Sequence, residues 1–220
     1  MRWKFLLQCF GKRVALGLLL VCSTACSAEN QNTTAPQNYH VVSLKPVQID
    51  VAQLGLTNCT SILALSNGRA LAACRSSKMD NHNDYGLRVY VLATDEKSPR
   101  ILSVSRGLGD AYAVMLQKRS NAEALYKDLI LADASAEFAY GTAIYQLQGD
   151  NLKYLGEIGY VMMSEDNNPI SALNVTTIQA TKDGFKVTFS HDVFLLNKDG
   201  EYQRHDARKL FMAFDGKSIH

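Results

Sequence analysis

Ser190-His191-Asp192 brings together the three residue types of a nucleophilic relay. Such a relay needs a hydroxyl, an imidazole and a carboxylate hydrogen-bonded in series. Phe185, Val187, Phe189, Val193 and Leu195 alternate with Lys186, Thr188, Ser190 and Asp192, which predicts one continuous strand. Adjacent strand residues point to opposite faces, so the three side chains are not expected to meet. His191 falls on the apolar side and is expected to be a core histidine with a satisfied hydrogen bond. No Gly-x-Ser-x-Gly elbow occurs elsewhere. No catalytic residue is assigned.

Metal chemistry finds as little support. His40, His82, His191, His205 and His220 are not spaced as ligand pairs on any element. Asp80-Asn81-His82-Asn83-Asp84 has the alternating oxygens of a calcium loop, but Tyr85 and Val91 stand where an EF-hand needs its glycine and its bidentate glutamate. A solvated polar loop is expected there, with no metal. Arg106-Gly107-Leu108-Gly109-Asp110 has two glycines, enough for a turn and too few for a phosphate cradle. No cofactor is expected. Carboxylates that act as acid and base in a β fold need not be close in sequence, so a hydrolase with dispersed carboxylates stays open as an alternative.

Two polar segments are longer than tight hairpins require, residues 75–84 and 164–169. Their candidate binding residues are Arg75, Lys78, Asp80, His82 and Asp84 in the first, and Glu165 and Asp166 in the second. Recognition residues are often carried on loops held by a rigid sheet.

The elements that would position these loops are strands. Val47, Ile49 and Val51 alternate with polar residues. Leu87, Val89, Val91 and Ala93 form one face of a second strand, and Tyr112, Val114 and Leu116 mark a third. Leu129-Ile130-Leu131-Ala132 is apolar on both sides, as in a strand covered on both faces. Ala143, Tyr145 and Leu147 pair with the run from Leu152 to Val161 across Gly149-Asp150-Asn151. Asp183-Gly184, Asp199-Gly200 and Asp215-Gly216 are turn signals between antiparallel strands. Helix signals are scarce: Ser120-Asn121-Ala122-Glu123 has capping-box form, with room for less than two turns behind it. The expectation is an all-β antiparallel meander folded as a two-sheet sandwich, with an incomplete β-propeller or a barrel as alternatives.

The cysteines add a staple. Ser66-Asn67-Gly68 separates two apolar runs as a hairpin turn does. Folding the chain there brings Cys59 and Cys74 within about one residue of facing each other, so a disulfide is expected if the compartment is oxidising. With that pair bridged, no thiol nucleophile remains in the domain.

The amino terminus supplies the compartment. Arg2, Lys4, Lys12 and Arg13 precede an uncharged apolar run of nine residues, Val14 to Cys22, followed by Ser23-Thr24-Ala25. This is the order of an export signal, and the run is short of the roughly 20 apolar residues of a spanning helix. Ser23-Thr24-Ala25-Cys26 resembles the lipobox of bacterial lipoproteins, although Ser23 stands where the box usually has Leu. The resemblance implies acylation of Cys26 and attachment to a lipid bilayer. Ser27 after the cysteine implies the outer membrane, with the domain facing the periplasm. Ordinary cleavage near Ala25 or Ala28 is the alternative and would release a soluble periplasmic protein. The organisation expected is a signal peptide over 1–25, a flexible tether over 26–38 and one β-rich domain over 39–220.

Removal of residues 1–25 takes away four basic residues and no acid, so the formal charge moves from +2 to −2. The one tryptophan, Trp3, leaves with them. A mildly acidic chain without a basic patch is a poor nucleic-acid binder. What remains favours binding over catalysis: a tethered envelope protein with a protein partner, of inhibitor or immunity type or a scaffold component.

Overall fold

A computed structural model describes residues 37–94, 98–136, 141–159, 161–163 and 169–220. The segment expected to be a signal peptide, Cys26, most of the expected tether, and the loop residues Glu165 and Asp166 lie outside the described residues. Sixteen strands account for the fold: β1 (His40–Val42), β2 (Thr57–Leu65), β3 (Arg69–Arg75), β4 (Arg88–Ala93), β5 (Arg100–Val104), β6 (Ala113–Ser120), β7 (Asp128–Ser135), β8 (Gly141–Gln148), β9 (Asn151–Ile158), β10 (Val161–Met163), β11 (Pro169–Ile170), β12 (Thr176–Ala180), β13 (Phe185–Phe189), β14 (Val193–Leu196), β15 (Tyr202–His205) and β16 (Phe211–Phe214). Among the described residues one α-helical turn, α1 (Ala172–Val175), interrupts them, capped by the Ser171 hydroxyl accepting from Leu173 N at 3.2 Å.

The expected all-β antiparallel sandwich is found. The central sheet has the order β1-β6-β7-β8-β9, and a second sheet runs β2-β3-β4-β5. Two smaller sheets, β12-β13-β16 and β11-β10-β14-β15, complete the set, and none of the four closes on itself. The doubly apolar run in β7 explains the layering. Ile130 and Ala132 pack with Leu71, Val89 and Val91 of the second sheet, whereas Leu129 and Leu131 pack with Ile178, Phe185 and Val187 of the smaller sheets. Leu129, Ile130 and Leu131 are wholly buried, each worth about 1.5–3 kcal/mol of apolar transfer. The central sheet is therefore covered on both faces.

The first hairpin forms as its residues require. Asn67 and Gly68 take positive φ values of 60° and 62° in the turn, and Leu65 faces Arg69 across it. Cys59 and Cys74 are bridged, with Cα atoms 4.0 Å apart. The ladder shifts register between Thr57 and Ser61. That bulge, with Asn58 at φ 47°, moves Cys59 across the one residue by which simple pairing would miss.

Three expectations need correction. Val47, Ile49 and Val51 form no regular strand. Pro46, which has no N–H to donate, makes only an isolated bridge to Leu63, and the segment runs on into a single 3-10 turn at Ala52–Leu54. There Val51, Leu54 and Leu56 cover the outer face of the second sheet over Tyr90 and Leu92. Ser120-Asn121-Ala122-Glu123 starts no helix. Ser120 ends β6, and Asn121 Oδ1 accepts from Glu123 N at 3.1 Å to hold a turn. The run from Phe185 to Leu195 is two strands in different sheets rather than one. Its apolar face is buried as expected. Gln37 already pairs with the domain, its carbonyl accepting from Ala180 N at 3.0 Å.

Candidate functional site

The site begins at an arginine. Arg88 opens β4 with only 2% of its surface exposed. Its guanidinium donates to Asp84 Oδ2 at 2.8 Å, to the Asp84 carbonyl at 2.8 Å, to the Met79 carbonyl at 3.1 Å and to Asp80 Oδ1 at 3.4 Å. The loop before β4 is thus wound around a buried cation. Asp84 also accepts from the Gly107 N–H through Oδ1. That backbone hydrogen bond, and after it the Arg88 guanidinium, hold the Asp84 carboxyl below the usual carboxylate range.

Gly107 belongs to the loop after β5, which is sewn to the loop before β4. Gly109 N donates to the Tyr85 carbonyl at 3.1 Å and Leu108 N to the Leu87 carbonyl at 2.7 Å. A Cβ on Gly86 would lie 1.8 Å from the Gly109 carbonyl oxygen, and one on Gly107 would lie 2.0 Å from that of Tyr85. Only glycine lets two backbones approach so closely. The two loops behave as one wall.

Facing that wall are β8 and β9. β5 and β9 are both terminal strands of their sheets, and they touch where Leu152 N donates to Ser103 Oγ at 3.1 Å. Beyond that contact lies a groove of about 350 Å³, with Val104, Arg106 and Leu108 on one side and Tyr145, Tyr154 and Glu157 on the other. It continues past Gly107, Leu108 and Glu157 into a depression of about 340 Å³ bounded by Tyr85 and Asp110.

The chemistry of the groove is mixed. The rings of Tyr145 and Tyr154 meet edge to face, 5.7 Å between centroids. Burial pushes the Tyr145 phenol up to about 12, helped by Tyr154 and Glu157 and opposed by a hydrogen bond with Ser105. Burial also raises Tyr154, and the charge and hydrogen bond of Glu157 add to this while Arg106 opposes it. Both phenols stay protonated at neutral pH. Tyr154, Tyr85 and Val104 are 54%, 41% and 36% exposed, so apolar surface lines a site that also offers Arg106 as donor and Glu157 and Asp110 as acceptors.

The structure places the sequence-derived candidates in different roles. Asp80 and Asp84 are partners of Arg88, although each side chain keeps about a third of its surface in solvent. Arg75 ends β3 and donates to the Ala111 carbonyl at 3.2 Å, a bond that ties β3 to the segment before β6. Lys78 and His82 are exposed on the loop surface. The loop is linked to the groove wall where Asp84 accepts from Gly107 N, and Tyr85 just after it bounds the depression. Ser190 and His191 do meet, Oγ to Nδ1 at 2.8 Å, contrary to expectation, because β13 ends at Phe189 and the alternation of faces ends with it. His191 is exposed and so is not the expected core histidine. Asp192 is engaged elsewhere: its two oxygens accept from Arg204 at 2.8 Å and from Ala207 N at 3.0 Å. Among the described residues no group of three His, Cys, Asp or Glu is placed to hold a metal.

Sequence reasoning missed Arg88, Arg106, Tyr145, Tyr154 and Glu157. The usable signal was the glycine spacing of Gly86, Gly107 and Gly109, which marks close backbone approach. Comparison with family models, with curated proteins and with solved structures finds no match to this chain.

Proposed function

We propose that the chain is an exported envelope protein, acylated at Cys26, that acts by binding a segment of a partner polypeptide in the groove between β5 and β9. The groove carries the reading. Two strand edges without partner strands among the described residues flank it, and an extended chain can add to such an edge through main-chain hydrogen bonds. Tyrosine and arginine at its rim are the residue types enriched where binding energy concentrates. An inhibitor or immunity-type role and a scaffold role both use such a surface, and the tether keeps either at the membrane. The disulfide suits an oxidising compartment. Among the described residues no helix is long and apolar enough to cross a membrane.

The test compares the native chain with Arg106→Glu/Tyr154→Ala as bait in envelope extracts. Partners held by the native chain and lost by the folded variant support the groove; an unchanged set of partners counts against it. Acyl mass on Cys26 in membrane fractions supports the anchor, and an unmodified Cys26 there removes it. The second reading is a hydrolase, since Asp110 and Glu157 line one depression. Both are exposed, which leaves them without the burial that commonly prepares a general acid.

A further inference from the structure

On the opposite face of the central sheet, Met115, Asp133 and Thr142 lie side by side across β6, β7 and β8. Asp133 is 9% exposed. Its one hydrogen bond among the described residues comes from Thr142 Oγ1 at 2.6 Å, and none of the ion pairs among those residues includes it. Its other oxygen has no protein donor among the described residues and is not shut off from solvent, so a charged ligand can meet it from the open pocket beside it. Arg119, a buried cation on the same sheet face, cannot serve. It gives its N–H groups to Gln117 at 2.7 Å and to the Leu173 and Thr176 carbonyls at 3.0 Å each.

Beside Asp133 is an open pocket of about 200 Å³, walled by Met115, Val161 and Ile170 and edged by Ser171. The Ser171 hydroxyl is already held by Leu173 N. The pocket therefore combines aliphatic walls with one under-partnered anion.

We propose that this pocket binds a primary alkylammonium group, its charge on Asp133 and its methylene stem against Met115, Val161 and Ile170. An ammonium fits better than a guanidinium. Thr142 occupies Oδ1, and the planar fork of a guanidinium is best matched by both carboxylate oxygens. The proposal stands apart from the groove and does not require a protein partner there.

The test titrates the full chain with n-butylammonium chloride and follows the Met115 methyl resonance by NMR. Saturable binding is expected, with no comparable shift from n-butanol or butyrate. Asp133→Asn should weaken it by about tenfold or more, as loss of a charged hydrogen bond does. Equal binding by native protein and folded Asp133→Asn, followed at another pocket methyl such as Ile170, overturns the proposal. If that variant does not fold, Met115→Trp, which closes the mouth from an exposed position, decides: binding retained at Ile170 overturns it. A lysine blocked at both backbone ends separates two sources of the group. Its binding with similar strength assigns the pocket to a polypeptide side chain, and its exclusion with butylammonium still bound assigns a free amine. Binding of neither overturns the proposal.

Discussion

Gly86→Ala is the sharpest perturbation of the groove wall. At this position φ is +93°, and the new Cβ would lie 1.8 Å from the Gly109 carbonyl oxygen. The backbone conformation alone costs a non-glycine residue about 1–3 kcal/mol. Relieving the overlap requires the two loops to part, and overpacking of that kind costs about 1–3 kcal/mol more. The sum is about 2–6 kcal/mol, with a middle value equivalent to roughly 10 °C in Tm for a chain of this size. Gly109→Ala is the control. Its φ is +62° and no atom lies within 4 Å of the added Cβ, so only the left-handed conformation is penalised, by about 1–2 kcal/mol. Denaturant midpoints of the two variants, measured side by side, should differ by about 2 kcal/mol or more after conversion. Equal destabilisation by the two substitutions would refute the close approach of the loops.

Two further outcomes follow from the same geometry. Reduction of Cys59–Cys74, which closes a loop with a sequence separation of 15, should lower stability by about 3 kcal/mol; unreduced protein should react with thiol reagents at neither cysteine. The Asp84 carboxyl is depressed in the folded state, so its contribution is complete above the ordinary carboxylate value of about 4 and fades as pH falls through the folded pKa. Asp84→Asn should flatten that acid limb in unfolding curves, and a parallel acid loss in both proteins would sink the assignment.

Local patterns in the sequence described the hairpin at Asn67-Gly68, its disulfide and the twice-covered β7 well, because each is decided within a few residues. Alternation from Phe185 to Leu195 also gave the correct buried face. It could not tell that the chain changes sheets, since a period of two is the same in either. The break falls between Phe189 and Val193, where the Asp192 carboxylate binds Arg204 and Ala207 N, contacts that alternation does not encode. The groove was illegible for a related reason. Tyr154 and Glu157 reach one groove across the register shift between β8 and β9 at Ile144 and Tyr145, which alternation alone does not show, and Arg106 is some forty residues before Tyr145. Arg88 reads as a routine polar residue at the start of a strand. Its burial appears only when two loops close over it, so the hold that Asp80 and Asp84 keep on it was not legible, although most of the loop from Arg75 to Asp84 is exposed.

Because β7 serves two hydrophobic layers at once, neither layer can come apart without stripping cover from the same strand. Isotope labelling of the backbone should find the amides of Leu129, Ile130 and Leu131 among the last to exchange with deuterated water. The molecule should then behave as a keystone arch does, yielding as a whole rather than one side at a time.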